Sequence, residues 1–125
     1  MEKIHVLLIE EDFFLAEIYK KKFEMEKFKV SIVRDGESGL QTIQKKKPDV
    51  VVLDILLPKM DGFAVLDAVK KDREIAHIPL IFLTSLGKKN DVERGFALGA
   101  FDYLIKTHNQ LKEVVDAVKK ALEYQ

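Results

Sequence analysis

The nine residues VVVLDILLP, Val50 to Pro58, decide the fold. Three valines and a leucine in succession have the β-branched, aliphatic character of a strand covered on both faces, the habit of a parallel sheet. The run then stops on a carboxylate, Asp54. An ionised group in an apolar setting is costly unless something compensates it, so the strand tip must open into a polar place. Beyond it LPKMDG is rich in helix and strand breakers, and FAVLDAVKKD puts Phe63, Leu66 and Val69 on one helical stripe.

The same alternation extends in both directions. Toward the N-terminus, IHVLLI is a strand that stops at Glu10, Glu11 and Asp12, and FLAEIYKKKFEMEKF repeats Leu15, Ile18, Tyr19 and Phe23 at helical spacing. FKVSIV is a strand and Arg34-Asp35-Gly36 a turn. ESGLQTIQKKK then carries Leu40 and Ile43 on one face before Pro48 forbids further helix. Toward the C-terminus, IPLIFLT is a strand, KKNDVERGFALGA a helix and FDYLI a strand. NQLKEVVDAVKKALEY closes the chain as a helix with Leu111, Val114, Val115, Val118 and Leu122 on its apolar side. Five strands that alternate with five helices through short loops must run parallel, with right-handed crossovers and helices on both faces. The expected architecture is a three-layer doubly wound α/β fold.

Composition bounds the function. At 125 residues, 47% hydrophobic and 34% charged, residues 1–125 fit one soluble domain. No apolar run approaches the roughly 20 residues of a membrane span, and the opening MEKIHVLLIEEDFF is too short in apolar residues for a secretory signal. A cytoplasmic location is expected. The absence of cysteine excludes disulfides, thiolate metal sites and cysteine nucleophiles. With 21 basic and 21 acidic side chains there is no basic excess to attract nucleic acid, so no direct nucleic-acid partner is expected. His5, His77 and His108 share no ligand spacing, and the lysine runs 20–22 and 45–47 read as solvated helix ends favoured by the helix dipole.

In an open doubly wound sheet, ligands sit beyond the carboxyl ends of the strands. The residues there are Glu10 and Glu11 after the first strand, Asp54 after the third, Thr84 and Ser85 after the fourth, and Lys106 after the fifth. Three carboxylates against one ammonium leave a formal surplus of two negative charges. Like charges about 4 Å apart repel by about 4 kcal/mol at an effective dielectric near 20. Either a carboxyl takes up a proton or a dication settles there, and magnesium, which prefers oxygen ligands and phosphate, fits.

LLIEED, VVVLDILLPKMDG, PLIFLTS and GAFDYLIK, in this order, resemble the receiver domain of two-component response regulators over essentially the whole chain. The resemblance implies a flavodoxin-like fold with strand order 2-1-3-4-5. It implies that Asp54 accepts a phosphoryl group from a phosphohistidine on a sensor histidine kinase or phosphotransfer protein. It further implies Mg2+ (or Mn2+) held by Glu10, Glu11, Asp54 and the backbone carbonyl of Leu56. Thr84 and Lys106 match the hydroxyl and lysine that contact the phosphoryl oxygens, and Tyr103 matches an aromatic switch position. The output is then a downstream protein that reads the surface of the fourth helix, fifth strand and fifth helix, from a monomer or weak homodimer. Such a protein catalyses only its own phosphorylation and dephosphorylation.

Several positions depart from the family pattern. Glu11 stands where the second acid is usually Asp, and Thr107 follows the lysine where proline in a cis linkage is usual; a trans peptide is expected, since a non-proline cis bond costs about 2.5 to 4 kcal/mol. Leu56 and Leu86, two residues beyond Asp54 and Thr84, are aliphatic where polar side chains often admit water, which predicts a long-lived acyl phosphate. Phe13 and Phe14 beside the acidic loop are candidates for docking a histidine-bearing partner. A pseudo-receiver that signals without phosphorylation is the alternative reading, supported by Glu11 and Thr107. A dehalogenase-type phosphatase would need a second Asp where Leu56 stands, and a nucleotide-binding enzyme would need a glycine loop that is missing.

Overall fold

The computed structural model describes residues 2–123. Its elements follow in strict alternation: β1 (His5–Ile9), α1 (Phe13–Met25), β2 (Lys29–Val33), α2 (Gly36–Lys46), β3 (Val50–Leu53), α3 (Gly62–Lys70), β4 (Leu80–Thr84), α4 (Lys89–Leu98), β5 (Asp102–Ile105) and α5 (Leu111–Glu123). The strands form one sheet in the order β2-β1-β3-β4-β5, every pair parallel. This is the doubly wound arrangement expected from the alternation, in the flavodoxin-like order that the resemblance implies.

The unbroken hydrophobicity of the central strands follows from their having no solvent face. Val6, Leu8, Val50, Val52, Ile81 and Leu83 pack with Tyr19 and Phe23 of α1 and Val114, Val115 and Val118 of α5. Their neighbours along each strand, Leu7, Ile9, Val51, Leu53, Leu80 and Phe82, point the other way, into Ile43 of α2 and Phe63, Leu66 and Val69 of α3. Alternate side chains of a strand serve opposite layers, so both sets must be apolar. β2, at the sheet edge, is only partly buried.

The helix entrances are fixed by aspartates. Asp12 accepts from the Leu15 amide at 3.0 Å, Asp35 from Ser38 at 2.7 Å and Asp61 from Ala64 at 2.9 Å, each satisfying an amide that the first turn leaves unpaired. α2 therefore starts at Gly36, one residue before the stretch read as helix, because Asp35 caps it rather than merely turning the chain. α4 has no such cap: Lys88 makes no side-chain cap bond, and Gly95 alone of its residues is buried. Gly99 ends it at φ 108°, a left-handed conformation open to glycine. Gly62 matters for the site, since a Cβ there would lie 2.4 Å from the Asp54 carbonyl oxygen. Its bareness lets α3 start against the tip of β3.

One detail of the expected helix faces changes. Ile18 was grouped with the buried stripe of α1, but the buried residues are Ala16, Tyr19 and Phe23, and Ile18 is 49% exposed. Two residues of one helix separated by 100° cannot both face the sheet squarely, and the larger Tyr19 takes the inner place.

Candidate functional site

The register of the sheet brings the tips of β1, β3, β4 and β5 to one edge, and each delivers its next residue there. Glu10 follows β1 and is 3% exposed, Asp54 follows β3 and is 6% exposed, and Thr84, the last residue of β4, is fully buried. Lys106 follows β5, its amide held by the Thr84 carbonyl at 2.9 Å. Its ammonium reaches back across the edge to Asp54 Oδ2 at 2.8 Å and Glu10 Oε1 at 2.6 Å. The remaining carboxylate oxygens are also engaged. Asp54 Oδ1 accepts from the Ile55 amide at 2.6 Å and the Leu56 amide at 3.3 Å, and Glu10 Oε2 accepts from the Asp12 amide at 3.0 Å. These bonds answer the cost of placing a carboxylate at the end of an apolar strand: every oxygen has a donor, and the ammonium supplies the charge.

Burial lowers the pKa of Lys106, but the hydrogen bonds and charges of Asp54 and Glu10 outweigh it and hold the ammonium above the ordinary lysine value of 10.5. Glu10 and Asp54 against Lys106 leave one formal negative charge among these three buried or partly buried groups. The sequence count gave a surplus of two, because it included Glu11. The Glu11 side chain is exposed, and its backbone carbonyl is gripped by the Arg34 guanidinium at 3.1 Å. Among the described residues no group of three or more acids and histidines is gathered into a metal cage. The donor set nevertheless suits magnesium, which takes one or two carboxylates and fills its octahedron with water and phosphate oxygens. Glu11 borders the same groove as Leu56 and Asp61.

Tyr103 and Thr84 are linked through one residue, Leu86. The Leu86 amide donates to Thr84 Oγ1 at 3.3 Å, and the Leu86 carbonyl accepts from the Tyr103 hydroxyl at 2.6 Å. The Tyr103 ring is turned inward, edge-on to Phe82 with centroids 5.7 Å apart and beside Phe96 at 6.5 Å. Gly95 makes the room: a Cβ there would stand 2.8 Å from Tyr103 Cδ2. The ring of the expected switch residue thus already occupies the inward position. Burial, then the charges of Asp91 and Asp54, push the phenol up to about 12. A raised pKa means the folded state holds the proton more tightly, so its contribution is whole below pH 10 and is lost as pH rises toward about 12. Tyr103→Phe should cost about 1 kcal/mol at neutral pH for the lost bond to Leu86. It should also flatten the fall in stability above pH 10, both read by urea unfolding.

Beside the site lies a groove of about 590 Å3 lined by Leu56, Pro58, Leu86 and Arg94 among others. Leu56 is 54% exposed there. The Arg94 guanidinium stacks over the Phe63 ring at 4.2 Å and so ties α4 to the start of α3. This contact, the Arg34 grip on the acidic loop and the Tyr103–Leu86 bond had no sequence signal, since each joins residues far apart in the chain. The aspartate caps did have one, in the Asp-Gly pairs ahead of α2 and α3. The Lys106–Thr107 peptide is trans; no cis bond occurs among the described residues.

The family of response regulator receiver domains matches residues 6–119, from the second residue of β1 into α5. The chain is a receiver domain of the two-component response regulators. It is 34% identical over 117 residues to the DNA-binding dual master transcriptional regulator RpaA of Synechocystis, covering 94% of this chain and 48% of that protein. To the transcriptional regulatory protein RprY of Bacteroides fragilis it is 36% identical over 105 residues, 84% of this chain and 44% of the relative. This receiver thus spans about half the length of the curated relatives it matches. Among solved structures, a response-regulator candidate from Chloroflexus aurantiacus superposes with a TM-score of 0.91 at 30% identity, covering 98% of this chain and 99% of that one. The receiver domain of Francisella response regulator 1452 gives 0.90 at 28% identity over 98% of each. Receiver domains of this family are signalling modules. No helix among the described residues is long and apolar enough to cross a membrane.

Proposed function

We propose that this receiver is a phosphoryl-accepting switch, charged on Asp54 by a phosphohistidine of a sensor kinase or phosphotransfer protein and read by a downstream protein at the α4-β5-α5 face. The supporting observation is the Lys106 ammonium, held between Asp54 and Glu10 at the strand tips. In the transfer an Asp54 carboxylate oxygen bonds to phosphorus as the phosphorus–nitrogen bond to imidazole breaks, and the electron pair leaves with the ring nitrogen. Such transfers are governed by positioning and charge stabilisation. Lys106 moves its hydrogen bond from Asp54 Oδ2 to a phosphoryl oxygen while Glu10 keeps hold of its other side. Thr84 Oγ1 donates to another phosphoryl oxygen. Glu10, Glu11, Asp54 and the Leu56 carbonyl are the oxygen donors for Mg2+ or Mn2+, which when bound neutralises charge on the transferred group.

The switch follows from the shared residue, Leu86. A Thr84 hydroxyl turned toward a phosphoryl group pulls away from the Leu86 amide, and the Leu86 carbonyl that holds Tyr103 belongs to the same loop. Phosphorylation thereby biases the packing of Tyr103 against α4, an element anchored without a cap and with little burial of its own.

Incubation with a small-molecule acyl phosphate and magnesium, followed by intact-mass spectrometry, tests this reading. A gain of one phosphoryl mass that depends on magnesium is expected; no gain leaves a phosphorylation-independent interaction module. Leu56 and Leu86 both border the groove beside the site, and their side chains offer approaching water no hydrogen bond. The phosphorylated protein should therefore lose phosphate slowly, and Leu56→Asn should speed the loss several-fold, as followed by phosphate release. A variant no faster than wild type removes the shielding role.

A further inference from the structure

The end of the sheet opposite Asp54 carries a second concentration of charge. A groove of about 860 Å3 opens over the first residues of β1 and β2, between α1 and the end of α2, within the roughly 300 to 1,000 Å3 of small-molecule sites. Five lysines line it: Lys3 before β1, Lys20 on α1, Lys29 opening β2, and Lys46 and Lys47 at the end of α2. The lysine runs 20–22 and 45–47, whose positions read as solvated helix ends, thus send members from two helices to one place.

These charges are not neutralised where they meet. Glu2, Glu24 and Asp49 share the groove, so five ammonium groups against three carboxylates leave a surplus of two on a chain whose formal total is zero. Asp49 is engaged by the His5 amide at 2.7 Å. Among the described residues the five lysines make one ion pair, the loose contact of Lys47 with Glu74 at 3.9 Å, and none with Glu2 or Glu24. The carboxyl end of α2 favours a lysine or two, but that does not account for Lys3 or Lys29. Lys47 adds an independent sign. It caps α2 at φ 46°, a left-handed conformation that glycine takes freely and a Cβ makes costly, and such strain is retained where a side chain is wanted. His5, with Nε2 2.8 Å from Ser31 Oγ, completes the wall. Burial and the charges of Lys29 and Lys46 lower its pKa from the ordinary 6.5 against the opposing effect of Asp49, so the ring senses the positive field of the groove.

We propose that this groove binds a small anion bearing a chain of phosphates, held by Lys20, Lys29, Lys46 and Lys47. The site shares no residue with the strand-tip cluster, so it holds or fails independently of phosphorylation. Calorimetric titration of the full chain with inorganic tripolyphosphate, in low-salt buffer free of magnesium, tests it. Saturable one-to-one binding with a dissociation constant below about 1 mM is expected. Lys46→Gln should weaken it about fivefold, the effect of one charge about 4 Å away in water, whereas Lys45→Gln, the same change one residue outside the groove, should leave it unchanged. Lys47→Gly should weaken binding to a similar degree and yet raise the thermal midpoint, since glycine relieves the left-handed cap. By linkage the bound anion should raise the pKa of His5, followed by the NMR shifts of its ring, and leave His77 and His108 unmoved. ATP in place of tripolyphosphate identifies the source of the phosphates: equal affinity means that the phosphates alone are read, and tighter binding means that a nucleoside also reaches the apolar wall at Phe28 and Val30. No saturable binding of either probe overturns the proposal. Equal losses in Lys45→Gln and Lys46→Gln, the mark of diffuse attraction, overturn it too, as does full affinity in Lys47→Gly or a His5 ring that does not respond while binding saturates.

Discussion

Asp54→Asn should take up no phosphoryl group from an acyl phosphate donor, with labelling falling to background in the intact-mass assay, while the protein remains folded. The amide lacks the charged oxygen that would bond to phosphorus, so the loss is complete rather than partial. The fold survives because the rest of the cluster is still satisfied. Lys106 keeps Glu10 at 2.6 Å, and an Asn side-chain oxygen can still accept the Ile55 amide that Asp54 Oδ1 accepts at 2.6 Å. Labelling that persists in Asp54→Asn at the wild-type level would place the acceptor elsewhere and undo the functional reading.

Lys106→Met carries the largest expected cost in stability. It leaves Glu10 and Asp54, with side chains 4% and 7% exposed, facing each other without the ammonium that both now touch. Removing one partner of a buried ionic cluster costs about 3 to 5 kcal/mol, measurable by urea unfolding in metal-free buffer. Magnesium should recover part of that loss and should raise the stability of the variant more than that of the wild type, because a ligand bound only by the folded state adds free energy by mass action. A gap that magnesium does not narrow argues that these oxygens take no dication. The variant should also unfold differently in alkali. The wild-type ammonium is held above 10.5 by its carboxylate partners against the effect of burial, so its contribution is present below that pH and lost as pH rises through the higher folded value. Lys106→Met lacks that part of the alkaline decline, and what remains between pH 10 and about 12 belongs to groups such as Tyr103.

The cluster shows how far a linear reading goes. Asp54 was legible because a charged residue directly after VVVL breaks a pattern that only a two-sided buried strand explains. Lys106 was legible as the one cation at the sheet edge. Glu11 was legible as an acid but not in its placement, since adjacent residues after a strand leave in different directions and only the path of the loop says which carboxylate turns inward. The Arg34 grip on the Glu11 carbonyl sets that path, and nothing local announces it. The outward turn of Ile18 has the same origin: a helix with apolar residues on more than one side does not say which side the sheet will claim.

By itself the sequence determined the order of elements, their parallel pairing and the strand ends at which chemistry-bearing side chains collect, because hydrophobic period, breakers and chain handedness are local properties that fix topology. The tertiary structure alone decided that Lys106 bridges Glu10 and Asp54, that Leu86 joins Thr84 to Tyr103 through its amide and its carbonyl, and that Tyr103 packs inward over Gly95. Those contacts join residues up to 96 positions apart, as in Lys106 to Glu10. Their geometry depends on sheet register and loop path to within an ångström, a precision that residue type and spacing do not encode.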